Sequence, residues 1–525
     1  MGGGTGRGGA WVLAAMVFAV GMTFIDQTIV SIAIPDLEQN LDLSETGVQW
    51  VVNAYLLALS ATFALGGRLA DTMGSRRMVT IGVATFAIAS ALCGLTPVAS
   101  YAEAWIVVFR AIQGVGAAMM IPAALALVIG SFEVRKRGQA LAIFFGITGA
   151  LTSIGPLAGG YLTTIDWRAI FWVNVPIALI ALVLIAYSKP SDTRKPSPID
   201  IPGALLVTGG MALSVLGLQQ SSVWGWGSWM TIGSIDVGSL LLVAFVLREL
   251  KVEDPLLRIR IFTDRAFSSQ NVVLFILSFG FIPLFFFTST YAQLSLGESP
   301  SNAGLYILTF FIGFAIAAQV GGRILDKVGA RPAVVAGGAI AAVGFYLWGS
   351  SLTDLSWSAQ TPWIIMSGFG MGMVLPASNT DAINRAPATS YGEATGITQT
   401  VRNYGASLGM AVLGTILITQ NRLNLEDKLG GIGVPKAVAD RIASQVVGGG
   451  GPEGGPSGAN GEKVFEAIQN AYATSTSTVF YVIAGAMAVM FLFSLVFVPK
   501  GRAPEKVADD AFESPAEAEA ESEAA

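Results

Sequence analysis

Stretches of about twenty apolar residues, separated by short polar breaks, recur along nearly the whole chain; a helix needs roughly that length to cross the hydrocarbon core of a bilayer. Such windows fall at 11–35, 47–70, 78–97, 101–131, 138–164, 168–188, 201–220, 231–248, 267–293, 303–322, 332–350, 361–384, 394–419 and 476–498. The pattern predicts an all-α polytopic membrane protein with fourteen spans. The first window is too long for the apolar core of a signal peptide, carries Asp26 and precedes many more spans, so it reads as a retained helix.

Composition agrees with the pattern. Of the 525 residues 12% are charged and 53% hydrophobic, and the mean hydropathy is +0.63. A soluble domain carries about a quarter charged residues. The formal net charge of −5 resides largely in the last stretch, 499–525, an Ala-rich acidic tail that reads as disordered and cytoplasmic. Cys93 is the single cysteine, so no internal disulfide can form. Histidine is absent, which removes the usual general base, metal ligand and near-neutral proton switch. Proton chemistry must run on carboxylates. No metal or nucleophile-and-base site can be assembled, which argues against an enzyme, and no GxxxxGK[ST] loop is present for an ATP-driven pump.

Loop charge then sets orientation, because Lys and Arg concentrate in short cytoplasmic loops. Arg76 and Arg77, the 135–137 cluster, Lys189 to Lys195, Arg248 to Arg265 and Arg323 to Arg331 occupy alternate connections. The short loops between them, 36–46, 98–102, 221–230, 294–302 and 351–360, hold no Lys or Arg, and Arg168 is the one short-loop exception. Both termini are expected in the cytoplasm. The long outer loop 420–475 reads as a surface helix, a Gly-rich linker and a short helix leading into the last span.

An internal repeat organises the spans. GGRLADTMGSRR at 66–77 recurs as GGRILDKVGARP at 321–332, an offset of 255 residues. Duplicated halves with a midplane substrate site are a common plan of secondary transporters, whereas a channel has no use for rocking halves. The expected divisions are a cytoplasmic N-terminus at 1–10, a six-helix bundle at 11–188, an inserted helix pair at 201–248, a second six-helix bundle at 267–498 and the tail.

The loop residues Gly67, Leu69, Asp71, Gly74, Arg76 and Arg77 resemble the motif after the second span of the major facilitator superfamily. IDQTIVSIAIP (25–35), RAIQGVGAA (110–118), GPLAGG (155–160) and DWRAIFWVNVP (166–176) are similar to segments of its fourteen-helix drug:proton antiporter family, the multidrug and quaternary ammonium resistance type. The resemblance covers nearly all of the chain except the tails and the long outer loop. It implies a major facilitator fold and export of small hydrophobic or cationic drugs, antibiotics or biocides in exchange for protons by alternating access. It also implies a bacterial plasma membrane, a monomer partnered by lipid, substrate and protons, and no cofactor or nucleic acid. A dedicated exporter of one native metabolite or lipid is the main alternative.

Asp26 is the residue most in need of explanation, since an ionised carboxylate deep in a span is costly and marks an ion or substrate path. It lies nine residues below the outer end of its window, and Arg110 lies nine below Tyr101 in the fourth. At about 1.5 Å per residue both are roughly 13 to 14 Å deep. The two can meet, either as a structural ion pair or as a proton-coupling pair, the role the resemblance places on them. A carboxylate whose arginine contact changes with conformation can take up a proton in one state and release it in another. Asp71, with Gly67, Gly74, Arg76, Arg77 and the repeat partner Asp326, reads as a conformational latch: a carboxylate can bind the positive N-terminal end of a neighbouring helix. The plain alternative is cytoplasmic anchoring by Arg76 and Arg77. Gly155, Pro156, Gly159 and Gly160 resemble the antiporter motif and would supply a kink and a close-packing face. Candidate substrate-lining residues are Asn53, Gln113, Phe286, Phe287, Tyr291, Gln399, Arg402 and Asn403, with Arg402 and Asn403 expected to face the protein interior.

Overall fold

The computed structural model describes residues 7–133, 136–190, 198, 200–252, 255–385, 391–432, 434 and 461–502. Every long apolar window has become a helix: α1 (Arg7–Ile32), α2 (Ile34–Leu41), α3 (Glu45–Met73), α4 (Ser75–Gly94), α5 (Ala102–Gly130), α6 (Arg137–Thr163), α7 (Ala169–Trp172), α8 (Asn174–Ser188), α9 (Ile201–Trp224) and α10 (Trp229–Glu249). The second part comprises α11 (Arg265–Leu294), α12 (Pro300–Val328), α13 (Ala330–Ser351), α14 (Trp357–Asn384), α15 (Tyr391–Gly431) and α16 (Gly461–Phe497).

Local chemistry fixes the ends. Ser44, Ser228, Asp264 and Ser299 cap α3, α10, α11 and α12, each side chain accepting from N–H groups of the first turn that have no partner within the helix. Gly74 and Gly329 end α3 and α12 at φ of +99° and +100°, the left-handed region glycine reaches without strain. They stand 255 residues apart, so the sequence repeat is also a repeat of backbone shape.

Twelve spans among the described residues are long and apolar enough to cross a membrane, α7 and α8 together forming one of them. The other two expected windows correspond to α6 and α14, of 27 and 28 residues. α14 is short of apolar density because it ends in Ser378, Asn379, Thr380 and Asp381, all at most 1% exposed and surrounded by protein. It packs between α12 and α13, while α6 packs along α1 and α12. The sixth window is divided by Val173 into α7 and α8, which sets Asn174 at the start of the latter. The expected outer loop is shorter than 420–475: α15 continues to Gly431 and α16 begins at Gly461, so its flanks extend the spans. The Gly-rich linker, the acidic tail, Arg135 and Arg194 to Lys195 lie outside the described residues.

α3 packs on α5, α4 on α5 and α8, and α1 on α6 and α8, while α11 to α16 make a second set of mutual contacts. The two sets meet along two seams, α3 with α15 and α6 with α12. α9 and α10 pair with each other, and α9 lies on α3 and α15, beside one seam. Arg248 donates to Asp200 at 2.8 and 2.7 Å, ties the end of α10 to the start of α9 and holds the Asp200 carboxyl below the usual carboxylate range. Arg168, the outer-loop exception, donates to the carbonyls of Gly94 and Thr96 at 2.9 and 2.8 Å, where α4 ends and cations are favoured.

Candidate functional site

Asp26 of α1 and Arg110 of α5 do meet. Arg110 Nη1 donates to Asp26 Oδ2 at 2.6 Å, with 1% or less of either side chain exposed. Gln113, one turn further along α5, closes a triangle: its Oε1 accepts from Arg110 at 2.7 Å and its Nε2 donates to Asp26 Oδ1 at 2.9 Å. Asn174 Nδ2 adds a donor to Oδ1 at 3.2 Å and bonds Ser90 Oγ at 3.0 Å. Ser90 in turn donates to the Phe171 carbonyl at 2.8 Å, at the turn where α7 gives way to α8. The carboxylate therefore accepts from α5 and α8, and four helices share one polar knot inside an apolar bundle.

Arg110 has further attachments. Its Nε donates to the Val51 carbonyl at 2.9 Å and its guanidinium stands 4.6 Å from the centre of the Tyr55 ring. A carbonyl, an amide and an aromatic face thus hold the cation in addition to the carboxylate. Asn174, Ser90 and Tyr55 are the members that sequence reasoning missed; a lone Asn inside an apolar window was the available signal.

At the ends of α3 and α12 the two copies of the repeat do the same thing. Asp71, in the last turn of α3, accepts from Gly392 N at 2.8 Å and Glu393 N at 2.6 Å, the first turn of α15. Asp326, in the last turn of α12, accepts from Gly138 N at 3.0 Å and Gln139 N at 3.3 Å, the first turn of α6. Each carboxylate thus satisfies orphan N–H groups at the positive end of a helix from the other set. Glycine permits the approach: a Cβ on Gly67 would lie 2.8 Å from Gly396 Cα, and one on Gly138 would lie 2.6 Å from the Gly322 carbonyl oxygen. Around Asp71, Arg68 lies 4.0 Å from Glu393, and the Arg258 N–H donates to the same Glu393. Arg76 is half-buried and Arg77 exposed at the start of α4, so neither takes part in this contact. Arg68, Glu393, Gly138 and Gly392 were not legible in advance, because they matter only through a contact between distant segments.

The antiporter-motif glycines lie on α6, which runs through them as one helix. Gly155 and Gly159 are buried, and Gly155 faces Thr28 of α1, two residues along from Asp26, so closely that a Cβ would overlap it. The surroundings of Pro156 and Gly160 lie outside the described residues.

The substrate-lining candidates scatter. Gln113 belongs to the Asp26 knot. Asn53 is half-buried on α3. Phe286 is 54% exposed, while Phe287 is buried. Tyr291 is buried too, its hydroxyl donating to the Leu352 carbonyl at 2.6 Å and accepting from Gln360 at 2.7 Å. Gln399, Arg402 and Asn403 cluster on α15, facing α3 and α6 as an interior position requires: Asn403 bonds Ser60 of α3 and Arg402 sits 5.7 Å from the Phe145 ring of α6.

The family model of the Major Facilitator Superfamily matches residues 16–410. Among curated relatives, the chain is 34% identical to the tetracenomycin C resistance and export protein of Streptomyces glaucescens, over 95% of this chain and 94% of that one. It is 34% identical to a puromycin resistance protein of Streptomyces alboniger, over 77% of this chain and 81% of that one. Among solved structures, the proton:xylose symporter XylE superposes with a TM-score of 0.58 at 14% identity, covering 95% of this chain and 98% of that one, which shows the fold. With the family model, these antibiotic-resistance relatives and the duplicated helical halves in agreement, the chain belongs to the major facilitator superfamily.

Proposed function

We propose that this chain is a drug exporter that exchanges small hydrophobic compounds for protons across a bacterial plasma membrane by alternating access, with both termini cytoplasmic and fourteen spans, α6 and α14 included. Export is the activity named for the tetracenomycin C relative, which aligns with this chain almost end to end. The observation that carries the coupling is the Asp26 knot: a carboxylate with no exposed surface, matched by one guanidinium that has other partners to fall back on.

The cycle follows from the contacts. Asp26 binds a proton in one state, which loosens its hold on Arg110 and on α8, and releases it when the halves rock and the carboxylate is drawn back against the guanidinium. The Asp71 and Asp326 contacts hold the cytoplasmic ends together while the outer side is accessible. One proton entering down about 100 mV releases roughly 2.3 kcal/mol. That supports a gradient of about fiftyfold for a neutral substrate. Exchange of one proton for one monovalent cation gains nothing from voltage and depends on the pH gradient.

Purified protein in liposomes tests the reading. Wild type is expected to concentrate substrate against an imposed pH gradient and Asp26→Asn is expected to lose that ability while remaining folded. Uphill transport by Asp26→Asn would refute the coupling assignment. A susceptibility panel of unrelated cationic and neutral drugs in an efflux-deficient host separates a multidrug exporter, which gives broad resistance, from an exporter of one native compound.

A further inference from the structure

Arg402 is a cation inside the membrane bundle with little to compensate it. It lies eleven residues along α15, about 16 Å from the start of that helix, and only 7% of it is exposed. Among the described residues its one hydrogen bond runs from Nη1 to Gln399 Oε1 at 2.9 Å, its guanidinium faces the Phe145 ring of α6 at 5.7 Å, and its Nε is buried without a partner. Among the described residues no carboxylate pairs with it. The acids inside the helices near the seams are engaged elsewhere: Asp26 with Arg110, Asp71 with α15, Asp326 with α6, Asp381 with Arg385 and Glu393 with Arg68.

The contrast with Arg110 is informative. Both arginines are buried, yet Arg110 has a carboxylate, an amide, a carbonyl and a ring, and Arg402, among the described residues, has one amide and the Phe145 ring. Burying a charge without a counter-charge is a cost that packing does not return. The Arg402 side chain also reaches from α15 toward the Phe145 ring of α6, and its neighbour Asn403 reaches Ser60 of α3, so it lies between helices of the two sets at mid-depth. Midplane junctions are where transporters of this plan hold substrate.

We propose that Arg402 is the charged contact of the substrate site, and that it receives an anionic oxygen, a carboxylate or phenolate, carried on an aromatic frame. This rests on the export reading above and narrows its substrate class. The guanidinium fork matches two oxygens of a planar anion, and the ring of Phe145 offers a face for stacking beside it. Among the described residues no acid at the junction lacks a partner, and Asn53 is neutral.

The test compares anthraquinone-2-carboxylate with its uncharged carboxamide, and with ethidium, as ligands of the detergent-purified full chain, read by quenching of tryptophan fluorescence. Wild type is expected to bind the carboxylate about tenfold more tightly than the carboxamide, and Arg402→Gln to reduce that ratio to about one. Arg402→Lys, which keeps the charge and loses the fork, should retain part of the preference, and ethidium binding should not weaken in either variant. Because the proposal leaves Arg402 without a structural counter-ion, Arg402→Gln is expected to melt at or above the temperature of wild type. A wild type without preference, a preference that survives in Arg402→Gln, or a destabilised or misfolded Arg402→Gln each overturns the proposal. Binding is measured without transport, so the two readings fail separately. Carboxylate binding through Arg402 with no uphill transport by wild type in liposomes sinks export alone. Uphill transport with no dependence on Arg402 sinks this assignment alone.

Discussion

Asp26 shows how much depends on single polar side chains in an apolar bundle. Its oxygens accept from Arg110, Gln113 and Asn174, and removing a donor leaves a buried acceptor short of a partner, a cost of about 1–3 kcal/mol. Asn174→Leu is therefore expected to lower the melting temperature in detergent, whereas Asn174→Asp sets two carboxyl groups side by side and should lower it further. Tyr55→Leu removes the ring beneath Arg110, worth about 0.5 to 2 kcal/mol. If the ring holds the cation while Asp26 carries a proton, that variant slows uphill transport several-fold in liposomes, and Tyr55→Phe does not. Equal rates for the two would remove the ring from the cycle.

The informative unit at the next scale is the end of a helix. α3 and α12 each finish with a carboxylate placed on the first turn of α15 or α6, a charge–dipole contact worth roughly 0.3 to 2 kcal/mol, reinforced by two hydrogen bonds. Asp71→Asn is expected to weaken the contact between the end of α3 and the start of α15. Spin labels at Arg77→Cys and Lys327→Cys, in a Cys93→Ala background, would then show a shift toward longer distances by pulsed electron resonance. Unchanged distances would reduce the Asp71 contact to a local cap. Gly67 meets the backbone of α15, so Gly67→Val cannot close that seam without displacing a helix. Transport by that variant is expected to fall by an order of magnitude or more.

For the molecule as a whole, the α9–α10 pair gives the two seams different surroundings. α9 lies on α3 and α15, and the connector after α10 reaches Glu393 through the Arg258 N–H, whereas the α6–α12 seam has no such neighbour among the described residues. Orientation is testable at this scale. In the Cys93→Ala background, a membrane-impermeant maleimide should label Val98→Cys in intact cells and Arg77→Cys only after permeabilisation. The reverse pattern would invert the proposed topology.

Much of the fold was legible in the chain because a bilayer imposes a simple rule: apolar length makes a span, and basic loops face the cytoplasm. The repeat was legible because a tight turn needs Gly74 and Gly329 whatever surrounds them. The depth of Asp26 and Arg110 could be counted along helices of known rise, which is why their meeting could be anticipated. Tertiary structure alone decided who completes each site. Asn174 and Ser90 join Asp26 through the break between α7 and α8, and Gly392 and Gly138 receive Asp71 and Asp326 across more than 180 residues of chain. Arg402 read as an interior polar residue like Asn403, and packing alone revealed that it has no counter-charge. Sequence spacing fixes what lies along one helix; which faces of different helices touch is set by packing, and packing decides which charges are paired.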